Sequence, residues 1–448
     1  MSGLQPVPAC NLDGALLARF AEGETSAAER RKVLRHLLSG CELCRGAIAP
    51  KIRLLQDNRP SEFSISRVLA NVAELEREMN RERALAAEQF REFLRHPPAR
   101  QWTLLRNSGR FDSWSFCELL LEAGFEAIYD DPHRALDLCR MGVTVAERLS
   151  AESYGERVVE DLRARAWGRT ANALRATSDL VGAEQALATS ARHLKMGSGE
   201  PLEEAEHLYF TASLYRAERK LDEALRVIHR SRRIYRMVGN SHLEGRSLMC
   251  EALIRDLRGE VEESIACCRQ ARVQVEPERD RRLALAAHHN LVWQLMVAGK
   301  SAEAMRELAE LRPAYFEFND QILLLKLRWM EARLAKDLGR PEESERAFRE
   351  AHEGFVEARI PYEAASVALD LAILLAEQGR RQELKLLAAE LIAVFRSLGV
   401  AREAFAALTI FERFAQADAV TVSLLARLSQ YFAQARTQPD LRFDPNSL

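Results

Sequence analysis

Along most of the chain apolar residues return every three or four positions, the spacing that keeps one face of an α-helix apolar. The segment LYFTASLYRAERKLDEALRVIHRSRRIYRMVG (208–239) holds two such runs, parted by the polar stretch ERK. A longer beat is laid over the short one. Gly259, Gly299, Gly339 and Gly379 stand forty residues apart, as do Glu223, Glu263, Glu303, Glu343 and Glu383. Small residues keep the same interval at Ala224, Ser264, Ala304 and Ser344, and multiples of it at Ala212, Ala252, Ala332 and Ala372.

The residue types explain the beat. Glycine just past an apolar run is the left-handed stop of a helix. A glutamate four residues on falls in the first turn of the next helix, where the macrodipole favours negative charge by roughly 0.3–1 kcal/mol. The small residue beside it lets two helices approach. The pattern predicts antiparallel pairs, each helix of about sixteen residues and so about 24 Å long. One pair cannot cover its own apolar face, so pairs must stack in an all-α array.

The turns ERKLDEAL (218–225), RGEVEESI (258–265), AGKSAEAM (298–305) and LGRPEESE (338–345) resemble the turn and second-helix start of tetratricopeptide repeats. Ala212, Tyr215 and Ala224 match that family's small, aromatic and small positions. The forty-residue period is longer than the family's usual one and resembles its long-helix variants. DDPHRAL (130–136) and SDLVGAEQAL (178–187) read as degenerate earlier units, and AQADAVTVSLLARLSQYF (415–432) as a capping pair. The resemblance implies a right-handed α-solenoid of about eight units over residues 101–436, followed by a short tail over 437–448.

Ahead of the repeats, QDNRPSEF (56–63) reads as a linker, and residues 65–96 as a long amphipathic helix stopped by Pro97 and Pro98. Together they fill residues 56–100. Residues 1–55 carry a different signal. Cys41 and Cys44 form a Cys-x-x-Cys pair, His36 stands near the end of the preceding helical run, and Cys10 is the other early candidate. Thiolates from one tight turn plus an imidazole are the donors of tetrahedral zinc. The alternative is that His36 caps a helix and the cysteines are small core residues. LARFAEGETSAAERRKVLRHLLSGCELC (17–44) resembles the zinc-binding anti-sigma factor domain, with a gap from His36 to Cys41 one residue longer than that family's. The resemblance implies zinc on Cys10, His36, Cys41 and Cys44, and a module that clamps a sigma factor with the help of helix 65–96.

Composition narrows the function classes. With 64 basic and 66 acidic residues the net charge is −2, so no whole-chain field attracts nucleic acid, and no nucleic-acid partner is expected. The opening MSGLQPVPACNLDGALLARF has no basic flank or long apolar core, and ASVALDLAILLAEQG is broken by Asp370. A soluble, cytoplasmic protein without a membrane partner is expected. AGKS (298–301) lacks the upstream glycine of a phosphate loop. Cys267 and Cys268 read as buried core, and His288 and His289 as one packed and one exposed. No constellation assembles an active site, so the chain is read as non-enzymatic.

If the pairs pack as in the family they resemble, the first helix of each lines a concave groove. Counting back from each turn places Arg169, Asn172, Arg175, Tyr209, Ser213, Arg216, His289, Trp293, Trp329, Arg333 and Lys336 there. Arginines with aromatics between them suit a protein or peptide with acidic groups or a free carboxylate, although Trp329 could equally be a packing knob between repeats. The leading expectation is a regulatory adaptor whose groove holds polypeptides and whose N-terminal module controls a sigma factor. The alternative is a scaffold for an unrelated complex, with that module purely structural.

Overall fold

A computed structural model describes residues 14–21, 24–26, 29–30, 32–33, 63–128, 131–318, 320–398 and 402–435. Cys10, His36, Cys41 and Cys44 lie outside the described residues, as does the tail 437–448. Among the described residues all regular structure is helical, with no strand. No described helix is long and apolar enough to cross a membrane.

The chain divides into two compact units, residues 1–247 and 248–448. The first holds α1 (Gly14–Ala21), α2 (Phe63–Leu94), α3 (Pro98–Asn107), a 3-10 turn (Gly109–Phe111), α4 (Trp114–Ala127), α5 (Pro132–Arg148), α6 (Ala151–Tyr154), α7 (Glu156–Ala176), α8 (Leu180–Met196), α9 (Pro201–Ala217) and α10 (Leu221–Met237). The division falls within α11 (Ser241–Leu257). The second unit continues with α12 (Val261–Gln274), α13 (Arg281–Val297), α14 (Ser301–Glu317), α15 (Gln321–Asp337), α16 (Pro341–Glu357), α17 (Pro361–Glu377), α18 (Arg381–Leu398), α19 (Arg402–Gln416) and α20 (Val422–Ala435). Successive helices pair: α4 with α5, α7 with α8 and α9 with α10 in the first unit, and α13 with α14, α15 with α16 and α17 with α18 in the second.

The forty-residue beat is half the story. Helices start at 201, 221, 241, 261, 281, 301, 321, 341, 361 and 381, so the structural interval is twenty. Most are 17 residues long, about 25 Å, close to the length expected. The glycine stops at 259, 299, 339 and 379 all take positive φ between 69° and 78°. Arg219, one period before Gly259, takes the same conformation at φ 61°, and the intervening stops carry it at Gly239, φ 71°, and Arg359, φ 57°.

Starts alternate in chemistry as well. Three successive first helices are capped by a side chain: Asn240 Oδ1 accepts from Leu243 N at 3.1 Å, Asp280 Oδ1 from Leu283 N at 2.8 Å, and Asp320 Oδ1 from Ile322 N at 2.9 Å, while those behind Glu200 and Ile360 are not. Second helices lack such a cap behind Lys220, Glu260, Lys300 and Arg340 and carry the periodic glutamate in their first turn instead.

Small buried residues lock the pairs together. Ser190 Oγ donates to Ala164 O at 2.8 Å and Ser231 Oγ to Ala205 O at 2.8 Å. In the second unit Ser264 Oγ donates to Ala252 O at 2.9 Å and Ser344 Oγ to Ala332 O at 2.8 Å. Each hydroxyl is buried, and each meets a carbonyl of the neighbouring helix only because the backbones come close. Cys267 and Cys268 are buried core, as expected.

The long helix expected over 65–96 is α2. Its end is fixed by Gln101, whose Nε2 donates to Phe93 O at 3.1 Å and His96 O at 2.8 Å, so the carbonyls orphaned by Pro97 are satisfied. Phe93 packs on Phe111 and Phe116 at 5.4 Å, seating the end of α2 in the aromatic core of the first unit. Further back, Glu82 accepts from Ser115 N at 2.8 Å and from Tyr154 Oη at 2.9 Å, tying α2 to the start of α4.

Candidate functional site

In the first unit, α4, α7 and α9 lie side by side. Each contributes charges one helical turn apart: Glu118 and Glu122 from α4, Arg165 and Arg169 from α7, Glu203 and Glu206 from α9. The result is two rungs of acid, base and acid. Arg165 Nε meets both oxygens of Glu203 at 3.1 and 3.2 Å, its Nη2 bonds the same carboxylate, and its Nη1 reaches Glu118 at 3.0 Å. Arg169 reaches Glu122 at 3.1 Å and Glu206 at 3.4 Å, and its guanidinium lies 5.2 Å from the ring of Phe125.

Burial opposes the charge on Arg165, but Glu203, Glu206 and Glu118 outweigh it and hold its pKa above the ordinary value. Burial also pushes the carboxyl of Glu203 up, and Arg165 works against that rise. The forked contact favours the charged form of both partners. Beside these rungs lies a cavity of about 400 Å³ between α2, α4 and α7, with Arg83, Ala87, Glu118, Leu119 and Arg169 among its walls.

Of the residues placed on this line from sequence, Arg169 belongs to the rungs. Asn172 is buried and its Oδ1 accepts from Arg175 at 2.9 and 3.1 Å. Tyr209 stands edge-on to Phe210 at 5.5 Å, and Ser213 is buried with its hydroxyl on Tyr209 O. Arg216 is half-buried, and its Nε meets no acceptor among the described residues.

In the second unit, Trp293 of α13 and Trp329 of α15 stand edge to face at 5.5 Å, with Arg333 4.6 Å from the Trp293 ring. Trp329 Nε1 donates to Asp370 of α17 at 2.7 Å, and Arg333 approaches the same carboxylate at 3.8 Å. Burial raises the Asp370 pKa, while Arg333 and the indole N–H hold it down. Lys336 pairs with Glu377 at 3.0 Å. Trp329 also packs 6.4 Å from Phe355, so it is a knob between helices and part of a half-exposed cluster at once.

One expectation is corrected here. Neither His288 nor His289 is exposed: His288 Nε2 pairs with Glu307 at 2.6 Å, and His289 Nδ1 bonds Tyr315 Oη. Adjacent positions both find partners because α14 offers an acid to one and a buried phenol to the other. His288, Glu307 and Glu310 are close enough together to hold a metal ion, but Arg272 stands 3.7 and 3.5 Å from the two carboxylates and supplies the cation. Lys300 of AGKS pairs with Glu262 at 2.6 Å, and Gly299 is the expected helix stop.

No family model matches the chain, and no curated protein does. Solved structures do match in fold. A Rap protein complexed with competence and sporulation factor aligns at a TM-score of 0.52 and 11% identity, over 72% of this chain and 87% of its own. The apo form of RapI aligns at 0.52 and 11% identity, over 71% and 86%. The chain has the TPR-like helical-repeat fold. Within that fold, the acidic partners Glu118, Glu122, Glu203, Glu206, Asp370 and Glu377 went unread in the sequence. A signal for them exists: Arg165 and Glu203, Arg169 and Glu206, Arg333 and Asp370, and Lys336 and Glu377 are each about one repeat apart.

Proposed function

We propose that the chain is a non-catalytic cytoplasmic adaptor that holds polypeptide segments against the first helices of its repeats. The cluster of Trp293, Trp329 and Arg333 carries this reading. Asp370 holds Trp329 and Arg333, Trp293 packs against both, and all three remain partly open to solvent. Such pre-ordered aromatic and arginine anchors contribute most of the affinity in protein interfaces, since little side-chain entropy is left to lose. A Rap protein of the same fold forms a complex with competence and sporulation factor, so a helical array of this kind can seat a ligand.

An array of random twelve-residue peptides probed with the purified full chain tests the reading. A defined subset should be retained, and the double variant Trp293→Leu, Arg333→Gln should retain it about tenfold less, a loss typical of anchor residues. A wild-type chain that holds no peptide, or a variant that binds equally well, would sink it.

The finer part of the proposal concerns the N-terminal residues and rests on their sequence pattern. Cys10, His36, Cys41 and Cys44 have the donor chemistry of zinc, and the module they would staple suits a transcription-linked partner such as a sigma factor. Elemental analysis should find zinc in the wild-type chain and a loss of it in Cys41→Ala, Cys44→Ala. Equal metal content in the two would remove that part and leave the adaptor reading standing.

A further inference from the structure

We propose that the cavity between α2, α4 and α7 receives the basic side chain of a polypeptide ligand, an arginine or lysine, with Glu118 and Glu122 as its acceptors. The inference rests on the adaptor reading and names the residue class its first unit recognises. It also reverses the expectation that an arginine-lined face takes an acidic guest.

The reversal follows from counting charges. Arg83, Arg165 and Arg169 line the cavity, but Glu118 and Glu122 line it with them, and Glu203 and Glu206 stand behind the two inner arginines. With Glu203 and Glu206 neutralising Arg165 and Arg169 from behind, the charges left on the wall are Glu118 and Glu122 against Arg83. The donors of Arg165 are taken up by Glu203 and Glu118, and the terminal nitrogens of Arg169 by Glu122 and Glu206. A guest carboxylate would have to displace one of these. Glu203 is only 7% exposed, and expelling it would strand a half-buried guanidinium.

The front carboxylates are placed differently. Glu118 is 41% exposed and Glu122 60%, and each bonds its arginine through a single oxygen, leaving the other open. They sit one turn apart on α4, about 5–6 Å between their β-carbons, a separation that a guanidinium or ammonium bridges. Leu119, Leu121 and Ala87 supply an apolar wall for the aliphatic stem of such a side chain.

Arg83 is the counterweight. It is exposed on α2, lines the cavity, and has no acceptor among the described residues, while Arg169 Nε is buried without one. These two groups argue for an anionic guest, and the experiment sets the two signs against each other.

Saturation-transfer NMR on the full chain, with acetyl-Leu-Arg-Leu-amide and acetyl-Leu-Glu-Leu-amide as probes, decides it. The arginine peptide should bind and the glutamate peptide should not. Glu118→Gln, Glu122→Gln should weaken the arginine peptide about tenfold, the combined effect of two partly exposed pairs. Arg83→Gln should tighten it about threefold by removing a like charge. Ala87→Trp, on the exposed side of α2, should abolish binding by filling the cavity. A glutamate peptide that binds as well or better, an arginine peptide indifferent to the double variant, or no binding of either would overturn the proposal. If array peptides are still retained through Trp293 and Arg333, the adaptor reading survives that result.

Discussion

His207 couples protonation to folding at a single residue. Ser190 has one hydroxyl hydrogen, given to Ala164 O, so its oxygen accepts from His207 Nδ1–H at 3.0 Å. Burial lowers its pKa from 6.5 to about 4. Between those values the unfolded chain binds a proton that the folded chain refuses. Stability is therefore complete above pH 6.5 and is lost as pH falls toward 4, by up to about 3 kcal/mol for the full difference of about 2.5 units. Urea unfolding across that window should show the slope, and His207→Gln should flatten it; parallel curves would mean that the ring charges freely in the fold. Backbone strain gives a second residue-scale expectation. Arg359 holds φ at 57°, a conformation costing an L-residue roughly 1–2 kcal/mol. Arg359→Gly should stabilise by about 0.5 kcal/mol after glycine's own entropy cost, whereas Gly339→Ala should destabilise by about 1 kcal/mol. The same two positions show why the twenty-residue interval was hard to read. Gly339 is the residue the left-handed stop prefers, but Arg359 does the same job without advertising it.

At the scale of elements, the helices were legible wherever the local chemistry was one-sided. The periodic glutamates mark second helices, and Asn240, Asp280 and Asp320 mark first helices at the same forty-residue spacing, a signal as plain as the one that was used. What the local pattern could not say is how α2 is registered. Glu82 lies 33 residues before Ser115 and 72 before Tyr154, and no periodicity links them. Yet this carboxylate fixes the height of α2 and so carries Arg83 to the cavity. Glu82→Ala should leave the amide of Ser115 and the phenol of Tyr154 without their acceptor, a loss of about 1–3 kcal/mol for each group left buried and unpaired. Hydrogen exchange of the second half of α2 should then quicken while α13–α18 stay as they were. An unchanged exchange rate in α2 would show that its aromatic anchor at Phe93 suffices alone. For the candidate site the same limit applied. Arginines and tryptophans were named from their place on first helices, but the acids that neutralise the arginines come from the helix pairs on either side, and the sign of the surface could not be read without them.

For the whole molecule, a repeat built from neighbour contacts has a thermodynamic consequence. Each pair rests chiefly on the pairs beside it, so a lesion should weaken its neighbourhood and leave distant repeats near their original stability. Phe348 of α16 is fully buried in a cluster with Phe355, Ala364 and Leu371. Phe348→Ala removes a ring that nothing nearby can replace, and it should cost about 3–5 kcal/mol locally. Hydrogen exchange read by mass spectrometry should show faster opening of α15, α16 and α17, with α4, α5, α7 and α8 protected as before. A chain that instead opened everywhere at once would be a single cooperative block. In that case neither the charged rungs of the first unit nor the tryptophan cluster of the second could be altered independently, and the separate variants used above to divide their functions would lose their meaning.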